Sequence, residues 1–166
     1  MIRLCRTVII SIALAGLTAT SALAAVFVSD DFSSANLNPQ LWSIQDPVGG
    51  ATFSIVSNEL QISIPGGIEH DVWNTGNFSA RVMQPTDNVD FEIEVKFSSL
   101  LTQQYQMQGM LIEQDSDNFL RFDFYSDGGN IRVFSAAMAT GQQPANIFDT
   151  VISPMFGALY MRVSRT

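Results

Sequence analysis

Apolar and polar residues alternate along much of the chain, and this period of two is that of a β-strand with one covered face. The most regular run is Asn88–Phe97, in which apolar residues from Val89 onward occupy every second position and charged residues lie between them. It predicts a strand whose apolar side faces a core and whose charged side faces water. No window of a dozen or more residues after the first 25 keeps a helical period, so the chain is predicted to be built from strands.

Two pairs of such runs predict β-hairpins. The first covers Ala51–Ile64 and turns at Ser57-Asn58, because asparagine tolerates the left-handed backbone that tight turns require. The second covers Gln106–Tyr125 and turns within the polar stretch 114–118. The alternation of residues in its second strand predicts one row of side chains that faces the core and one that faces outward. The core-facing row is Leu120, Phe122 and Phe124, and the outward row is Phe119, Arg121, Asp123 and Tyr125.

Short strands are also predicted at 26–32, 41–44, 131–134 and 159–163, whereas 136–154 is predicted to be a loose segment. Eight to ten short strands separated by turn residues predict a single all-β domain, an antiparallel β-sandwich. The last residues, Arg162–Thr166, have a strand pattern without a closing turn. We therefore expect the chain to be C-terminally incomplete.

The first 25 residues have the three parts of a secretory signal peptide. A basic start (Arg3, Arg6) precedes an apolar run, and the segment ends in Ala-Leu-Ala. The run is shorter than the ~20 apolar residues that a bilayer span needs. We therefore expect residues 1–25 to be removed and the domain, residues 26–166, to be secreted, either extracellular or periplasmic, with no membrane insertion after cleavage.

Cleavage would leave a domain without cysteine and with a strongly acidic balance. Cys5 is the only cysteine in the chain, and a domain of about 140 residues can bury a sufficient core without disulfides. A secreted domain without cysteine is more typical of bacterial proteins than of eukaryotic extracellular ones. The remaining residues include 6 basic and 16 acidic ones, a formal charge of −10. Such a surface repels nucleic acid and anionic lipid, which argues against both as partners.

Several segments are similar to one family. They are Asp30-Asp31-Phe32, Leu37-Asn38-Pro39 with Trp42, Asn58-Glu59-Leu60, His70-Asp71-Val72-Trp73, Asp90–Val95, Tyr105–Leu111 and Asp117–Phe122. Together they resemble the concanavalin A-like lectin/glucanase superfamily and, more narrowly, domain-of-unknown-function family 1349 of secreted bacterial proteins. The resemblance implies a jelly-roll of two curved antiparallel sheets whose concave face commonly binds carbohydrate.

Paired carboxylates could indicate a glycoside hydrolase, which usually needs two carboxyl groups about 5–10 Å apart. Glu92 and Glu94 share one face of the predicted strand, with side chains roughly 7 Å apart. However, the family-16 pattern Glu-x-Asp-x-x-Glu is not present in this strand. A solvated outer face explains these acids, so Glu92 and Glu94 are weak catalytic candidates, with Asp123 a third for this alternative.

Other catalytic and metal sites have little support. His70 is the only histidine and no Gly-x-Ser-x-Gly motif occurs, so neither a serine triad nor a zinc site is indicated. Calcium stays open as the one cofactor, because Asp30 and Asp31 are weak candidate oxygen ligands. Asp115 and Asp117 offer oxygen ligands too, but turn formation already explains acids at those positions.

Sugar binding needs an aromatic ring to stack on a pyranose and planar polar groups to hold its hydroxyls. The predicted ligand-binding residues are His70, Trp73, Phe119, Arg121, Asp123 and Tyr125. Trp73 could instead be a half-buried lid over the sandwich edge, and Arg121 with Asp123 a surface pair worth little energy. We therefore expect a secreted, non-catalytic domain that binds polysaccharide or oligosaccharide. A glycoside hydrolase and a structural or adhesion module are the alternatives.

Overall fold

The computed structural model describes residues 27–73, 76–152 and 157–166, so the predicted signal peptide lies outside the described residues. Every regular element in those ranges is a strand, and no helix there is long and apolar enough to cross a membrane. The ten strands found in the described ranges agree with the eight to ten predicted. They are β1 (Ser43–Gln45), β2 (Thr52–Val56), β3 (Glu59–Ser63), β4 (Arg81–Met83), β5 (Phe91–Phe97), β6 (Met107–Asp115), β7 (Asn118–Ser126), β8 (Ile131–Met138), β9 (Ala145–Ile152) and β10 (Leu159–Arg165).

The largest sheet has four antiparallel strands in the order β6-β7-β8-β9. The predicted second hairpin forms its first two strands, with Asp115 opposite Asn118 at the turn. Further along, Gly109 lies opposite Asp123, and a β-carbon on Gly109 would lie 2.6 Å from Asp123 Cα. Glycine therefore permits a close approach of β6 to β7 that any side chain would obstruct.

A two-stranded ribbon of β5 and β10 contacts one face of this sheet through Phe97 and Phe124. The ring of Phe97 meets the ring of Phe124 edge-on, with centroids 6.1 Å apart, and Met161 lies buried opposite Val95. In β5 the apolar positions are half-buried and the charged ones exposed. The predicted strand and its orientation are thus confirmed, with β5 beginning at Phe91.

Two smaller antiparallel pairs complete the strands, β2 with β3 and β1 with β4. The first is the predicted Ala51–Ile64 hairpin. Ser57 and Asn58 both have positive φ, 53° and 61°, which is the backbone of the two-residue turn that joins strands most tightly.

An irregular segment, residues 70–73 and 76–78, crosses the other face of the four-stranded sheet, and we call it the strap. Arg121 Nη1 on β7 donates a hydrogen bond to the carbonyl of Val72 at 3.3 Å, and the amide of Asn77 donates to the carbonyl of Ser116 at 3.1 Å. We call the sheet surface beneath it the strap face. It carries Leu111, Phe119, Arg121, Asp123, Tyr125, Arg132, Phe134, Ala136 and Met138.

The main buried cluster lies on the strap face rather than under the ribbon. It consists of Phe119, Phe134, Ala136 and Met138, with Trp73, Leu111 and Tyr125 packed against it. The small side chain of Ala136, fully buried, lets the larger neighbours close over the middle of the sheet.

The orientation predicted for β7 is wrong in one respect. Its supposed outward row is covered, since Phe119 is 4 % exposed and Arg121 and Asp123 are each 5 % exposed. Leu120, predicted to face the core, is 38 % exposed. The reason is that β7 is covered on both faces, by the strap on one side and, around Phe124, by the ribbon on the other.

Two predictions of irregular and extended backbone are also wrong. The segment 136–154 was predicted to be loose, yet β8 continues to Met138 and β9 follows within it. A strand was predicted at 26–32, and none is found in its described part, residues 27–32.

Candidate functional site

The strap face is organised around a buried ion pair within β7. Residues two apart on a strand point to the same face, and Arg121 Nε lies 2.8 Å from Asp123 Oδ2. The guanidinium is held further by the Val72 carbonyl at 3.3 Å and by Met107 Sδ at 3.3 Å. Because several groups fix it, Arg121 is a rigid cation beneath the strap rather than a mobile surface charge.

Asp123 is less completely satisfied than its partner. Burial raises the pKa of its carboxyl group, the hydrogen bond and charge of Arg121 oppose that rise, and the negative charge of Asp149 adds to it. Oδ2 accepts the Arg121 hydrogen bond, whereas Oδ1 is buried and has no hydrogen-bond partner in the described ranges. A buried carboxylate oxygen without a donor is costly, so this atom can accept a hydrogen bond from a ligand or a solvent molecule.

Trp73 on the strap packs directly over this pair. The Arg121 Cζ atom lies 5.9 Å from the Trp73 ring centroid and 5.0 Å from that of Phe134, so the guanidinium contacts two aromatic rings. The Trp73 ring also meets Phe134 at a centroid distance of 5.7 Å and 60°. Trp73 is half-buried: one part of its surface is fixed against the core and the other remains accessible.

A cavity of about 320 Å³ opens beside Trp73, and we call it the turn cavity. It lies where the β6–β7 turn and the β8–β9 connection meet the strap. Apolar contact comes from Trp73, Phe119 and Met138, and polar groups come from Asp117 and Gln142. The remaining lining residues are Gly76, Ala139, Thr140, Gly141 and Pro144.

The walls of the turn cavity are tied together by hydrogen bonds. Asn118 Nδ2 donates to Thr140 Oγ1 at 2.9 Å, and the Thr140 amide donates back to Asn118 Oδ1 at 3.1 Å. Asp115 Oδ1 accepts from the amides of Asp117 and Asn118 at 2.9 Å each. The side chain of Asn118 and these amides hold the pKa of Asp115 below its usual value. The turn and the β8–β9 connection therefore form one preorganised rim.

Two polar side chains on this rim are free to bind. Neither the Asp117 carboxylate nor the Gln142 amide makes a side-chain hydrogen bond to any residue in the described ranges. Together with the accessible surface of Trp73, they supply an aromatic ring and planar hydrogen-bonding groups around one small volume.

Beyond Trp73 the strap face ends in a second group of side chains. The Tyr125 ring packs perpendicular to Phe134 with centroids 5.8 Å apart, and its hydroxyl lies 3.5 Å from Asp149 Oδ2. Arg132 Nε donates to Asp149 Oδ1 at 2.7 Å, and Arg132 Nη1 lies 3.4 Å from Asp127 Oδ2. Partial burial and the charge of Asp149 raise the pKa of the Tyr125 phenol, so this hydroxyl stays protonated and can donate.

The six predicted ligand-binding residues thus have different positions. Trp73 and Phe119 line the turn cavity, Arg121 and Asp123 lie beneath the strap, and Tyr125 lies beyond it. His70 stands at the start of the strap, half-buried, and neither of its ring nitrogens has a hydrogen-bond partner in the part of the chain that is described.

The weak catalytic candidates lie on a different surface. Glu92 and Glu94 are on the exposed side of β5, where Arg162 of β10 pairs with them at 3.8 Å and 2.8 Å respectively. They line neither the turn cavity nor the strap face. Their surroundings are those of a solvated ribbon rather than of a substrate cleft.

The weak metal candidates are engaged in local structure. Asp30 accepts hydrogen bonds from Trp42 Nε1 and from the Phe32 amide, both at 2.8 Å, and Asp31 accepts from the Ser33 amide at 3.0 Å. Hydrogen bonds from the side chain and the amide of Ser33 lower the pKa of Asp31. No group of three or more His, Cys, Asp or Glu able to hold a metal occurs among residues 27–73, 76–152 and 157–166, and calcium binding stays a prediction.

Most lining residues of the turn cavity were missed by sequence reasoning. Six of them lie in the segment predicted to be loose: Met138, Ala139, Thr140, Gly141, Gln142 and Pro144. A signal for Met138 was present, since Phe134, Ala136 and Met138 continue the alternation of the preceding strand. Thr140 and Gln142 follow the strand in an irregular connection, where no periodic pattern marks a position.

The sequence matches a family model over most of its length. The Beta xylosidase C-terminal Concanavalin A-like domain model matches residues 29–164. Comparison with curated proteins gave no match, and comparison with solved structures gave none either. The match confirms the predicted all-β, concanavalin A-like sandwich, whereas the narrower resemblance to family 1349 stays a prediction. The chain therefore belongs to the family of β-xylosidase C-terminal concanavalin A-like domains.

Proposed function

We propose that this domain binds carbohydrate without hydrolysing it and that the turn cavity is the binding site. The observation that carries the proposal is the cavity of about 320 Å³ with the half-buried Trp73 ring on one side and the free side chains of Asp117 and Gln142 on another. This volume is near the lower limit of ligand pockets, about 300 Å³, and suits a single sugar unit. An aromatic ring next to a few hydrogen-bonding side chains is the arrangement that recognises a pyranose.

The family and the charge of the chain together suggest which sugars to test first. The matched family is described by its β-xylosidase context, so xylose-containing glycans are the first candidates. The formal net charge of −8 disfavours anionic glycans by repulsion. Neutral β-linked xylo-oligosaccharides are therefore the proposed ligands.

Isothermal titration calorimetry with xylo-oligosaccharides, preceded by a glycan array, tests the proposal. Gln142→Ala and Asp117→Ala each remove one hydrogen-bonding group and should weaken binding about 3–10-fold, as one hydrogen bond is worth about 1 kcal/mol. Gln103→Ala is the matched control, because this glutamine is exposed on the 99–106 loop, outside the cavity. A folded protein that binds no glycan, or binding unaffected by both cavity variants, would refute the assignment.

A structural role in contact with another protein domain is the second candidate. The edge strand β9 exposes apolar side chains, with Ile147 62 %, Phe148 51 % and Val151 48 % accessible. Exposed apolar groups on one strand suit a protein contact. A domain that binds no glycan but associates with a β-xylosidase catalytic domain in gel filtration would favour this function.

A further inference from the structure

The strap face continues past the turn cavity as a row of aromatic rings. Trp73 contacts Phe134 at 5.7 Å and Phe134 contacts Tyr125 at 5.8 Å, each in edge-on geometry. Phe134 is buried and fixes the two outer rings, whereas Trp73 and Tyr125 are each partly accessible. The turn cavity is on one side of Trp73, and Tyr125 is on the other.

Polar groups surround the Tyr125 end of this row. Tyr125 is directly opposite Arg132, and Phe134 is directly opposite Asp149, so three adjacent strands bring these side chains together. The side chains of Arg132 and Asp149 are each about one quarter exposed, 25 % and 26 %. Their mutual hydrogen bond at 2.7 Å holds the carboxylate and the guanidinium in place.

A separate observation points to a ligand at this end. Asp123 lies in the same cross-strand row, opposite Phe134, and its buried Oδ1 has no donor in the described part of the chain. Nearly all buried polar atoms in proteins are hydrogen-bonded. An unsatisfied buried oxygen next to Tyr125 would gain from a donor supplied by a solvent molecule or a ligand.

We propose that Tyr125, Arg132 and Asp149 form a second sugar subsite, separated from the turn cavity by Trp73. The inference rests on the proposed carbohydrate binding and adds a second place where a chain of several neutral sugars would be held. The Tyr125 ring would stack on one sugar, and its hydroxyl, the guanidinium and the carboxylate would bond the hydroxyls of that sugar. Trp73 would contact the sugar between the two subsites.

Calorimetric titration of the domain with xylose, xylotriose and xylohexaose tests this, with glucose, cellotriose and cellohexaose as the parallel series. We expect the wild-type affinity to rise at least tenfold from monosaccharide to hexasaccharide. Tyr125→Ala should remove most of that rise and weaken hexasaccharide binding more than monosaccharide binding. Tyr160→Ala is the matched control, since this tyrosine is 62 % exposed on β10, in the β5–β10 ribbon.

Tyr125 packs on Phe134, so its replacement could disturb the fold as well as the subsite. Asp149→Asn is therefore a second variant: this residue is on an exposed edge strand, where the substitution should not disturb folding. It should reduce hexasaccharide affinity about three- to tenfold, the effect of one weakened hydrogen bond. Equal affinity for all chain lengths would overturn the second subsite and leave the turn cavity as the site. Equal loss for monosaccharide and hexasaccharide in both variants would also overturn it. No binding in either series would refute the proposed function itself.

Discussion

Strands β5 and β7 both carry charges at alternate positions, yet they occupy opposite environments. In β5 the charged side chains Glu92, Glu94 and Lys96 are exposed. In β7 the charges of Arg121 and Asp123 are buried, and so is Phe124 on the opposite face of the strand. The same period of two therefore accompanies one strand whose charged face is solvated and another whose charged face is covered.

The difference comes from what covers each strand. In the part of the chain that is described, β5 has one neighbouring strand, β10, and its charged side faces solvent. β7 has β6 and β8 beside it, the strap above it and the ribbon below it around Phe124. Alternation indicates which residues share a face, and only the tertiary arrangement decides whether that face is covered.

The largest effect is expected from removing one partner of the buried pair. Asp123→Ala leaves the Arg121 guanidinium buried without its carboxylate, and breaking such a pair typically costs about 3 kcal/mol or more of unfolding free energy. Urea unfolding followed by circular dichroism measures the change. Since small domains are stable by only about 5–15 kcal/mol, the variant should unfold at a much lower urea concentration.

The control for this variant replaces both charges. Arg121→Met combined with Asp123→Leu removes the desolvation cost together with the attraction, so the double variant should be more stable than Asp123→Ala. A single variant within about 0.5 kcal/mol of the wild type, the ordinary range for surface positions, would show that the pair is solvated as in β5.

The next effect concerns the close contact of β6 with β7. A β-carbon at Gly109 would lie 2.6 Å from both Cα and Cβ of Asp123. These atoms cannot move aside as the end of a flexible side chain could. Gly109→Ala should therefore cost about 1–3 kcal/mol, as overpacking does. Thermal unfolding by calorimetry provides the measurement.

Gly66→Ala is the matched control for the Gly109 substitution. A β-carbon there would meet no atom within 4 Å, and Gly66 does not have positive φ. Its effect should stay within about 0.5 kcal/mol. Equal costs for the two substitutions would contradict the close strand approach beside Asp123.

Much of the fold was predictable because local patterns determine it. The hairpin turning at Ser57-Asn58 was identified from turn chemistry, and the β5 alternation gave the correct orientation of Glu92 and Glu94. Arg121 and Asp123 were misjudged because burial of a charge depends on a distant partner, here the Val72 carbonyl 49 residues away. Of the residues that line the turn cavity, only Trp73 and Phe119 were predicted to bind a ligand, since its walls combine the strap, a turn and the 139–144 connection.

Opposite pH dependences should distinguish buried from exposed carboxylates. Hydrogen bonds lower the pKa of Asp115 in the folded state below 3.8. Its contribution to the free energy of unfolding is therefore complete above pH 3.8 and is lost as the pH falls through the lower pKa of the folded state. Burial raises the pKa of Asp123 above 3.8, so the folded state binds the proton more tightly. Its contribution to stability is therefore complete below 3.8 and lost as the pH rises through the folded value.

Urea unfolding from about pH 6 to about pH 3 measures these two slopes. Relative to the wild type, Asp115→Asn should become less destabilising as the pH falls. Asp123→Asn should become more destabilising, because the wild type gains from protonation of Asp123 and the variant does not. Slopes of the same sign would mean that Asp123 is as well solvated as the turn carboxylates.

The smallest effect is expected on β5, and it also bears on the hydrolase alternative. The side chains of Glu94 and Arg162 are 47 % and 60 % exposed, and an exposed ion pair contributes roughly 0–1 kcal/mol. Glu94→Gln and Glu92→Gln should each change the unfolding free energy by less than about 0.5 kcal/mol and leave glycan binding at the turn cavity unchanged. If the wild type releases reducing sugar from xylan and either variant loses that activity while remaining folded, the β5 surface is catalytic. The contrast between a functional strap face and an inert ribbon would then be reversed.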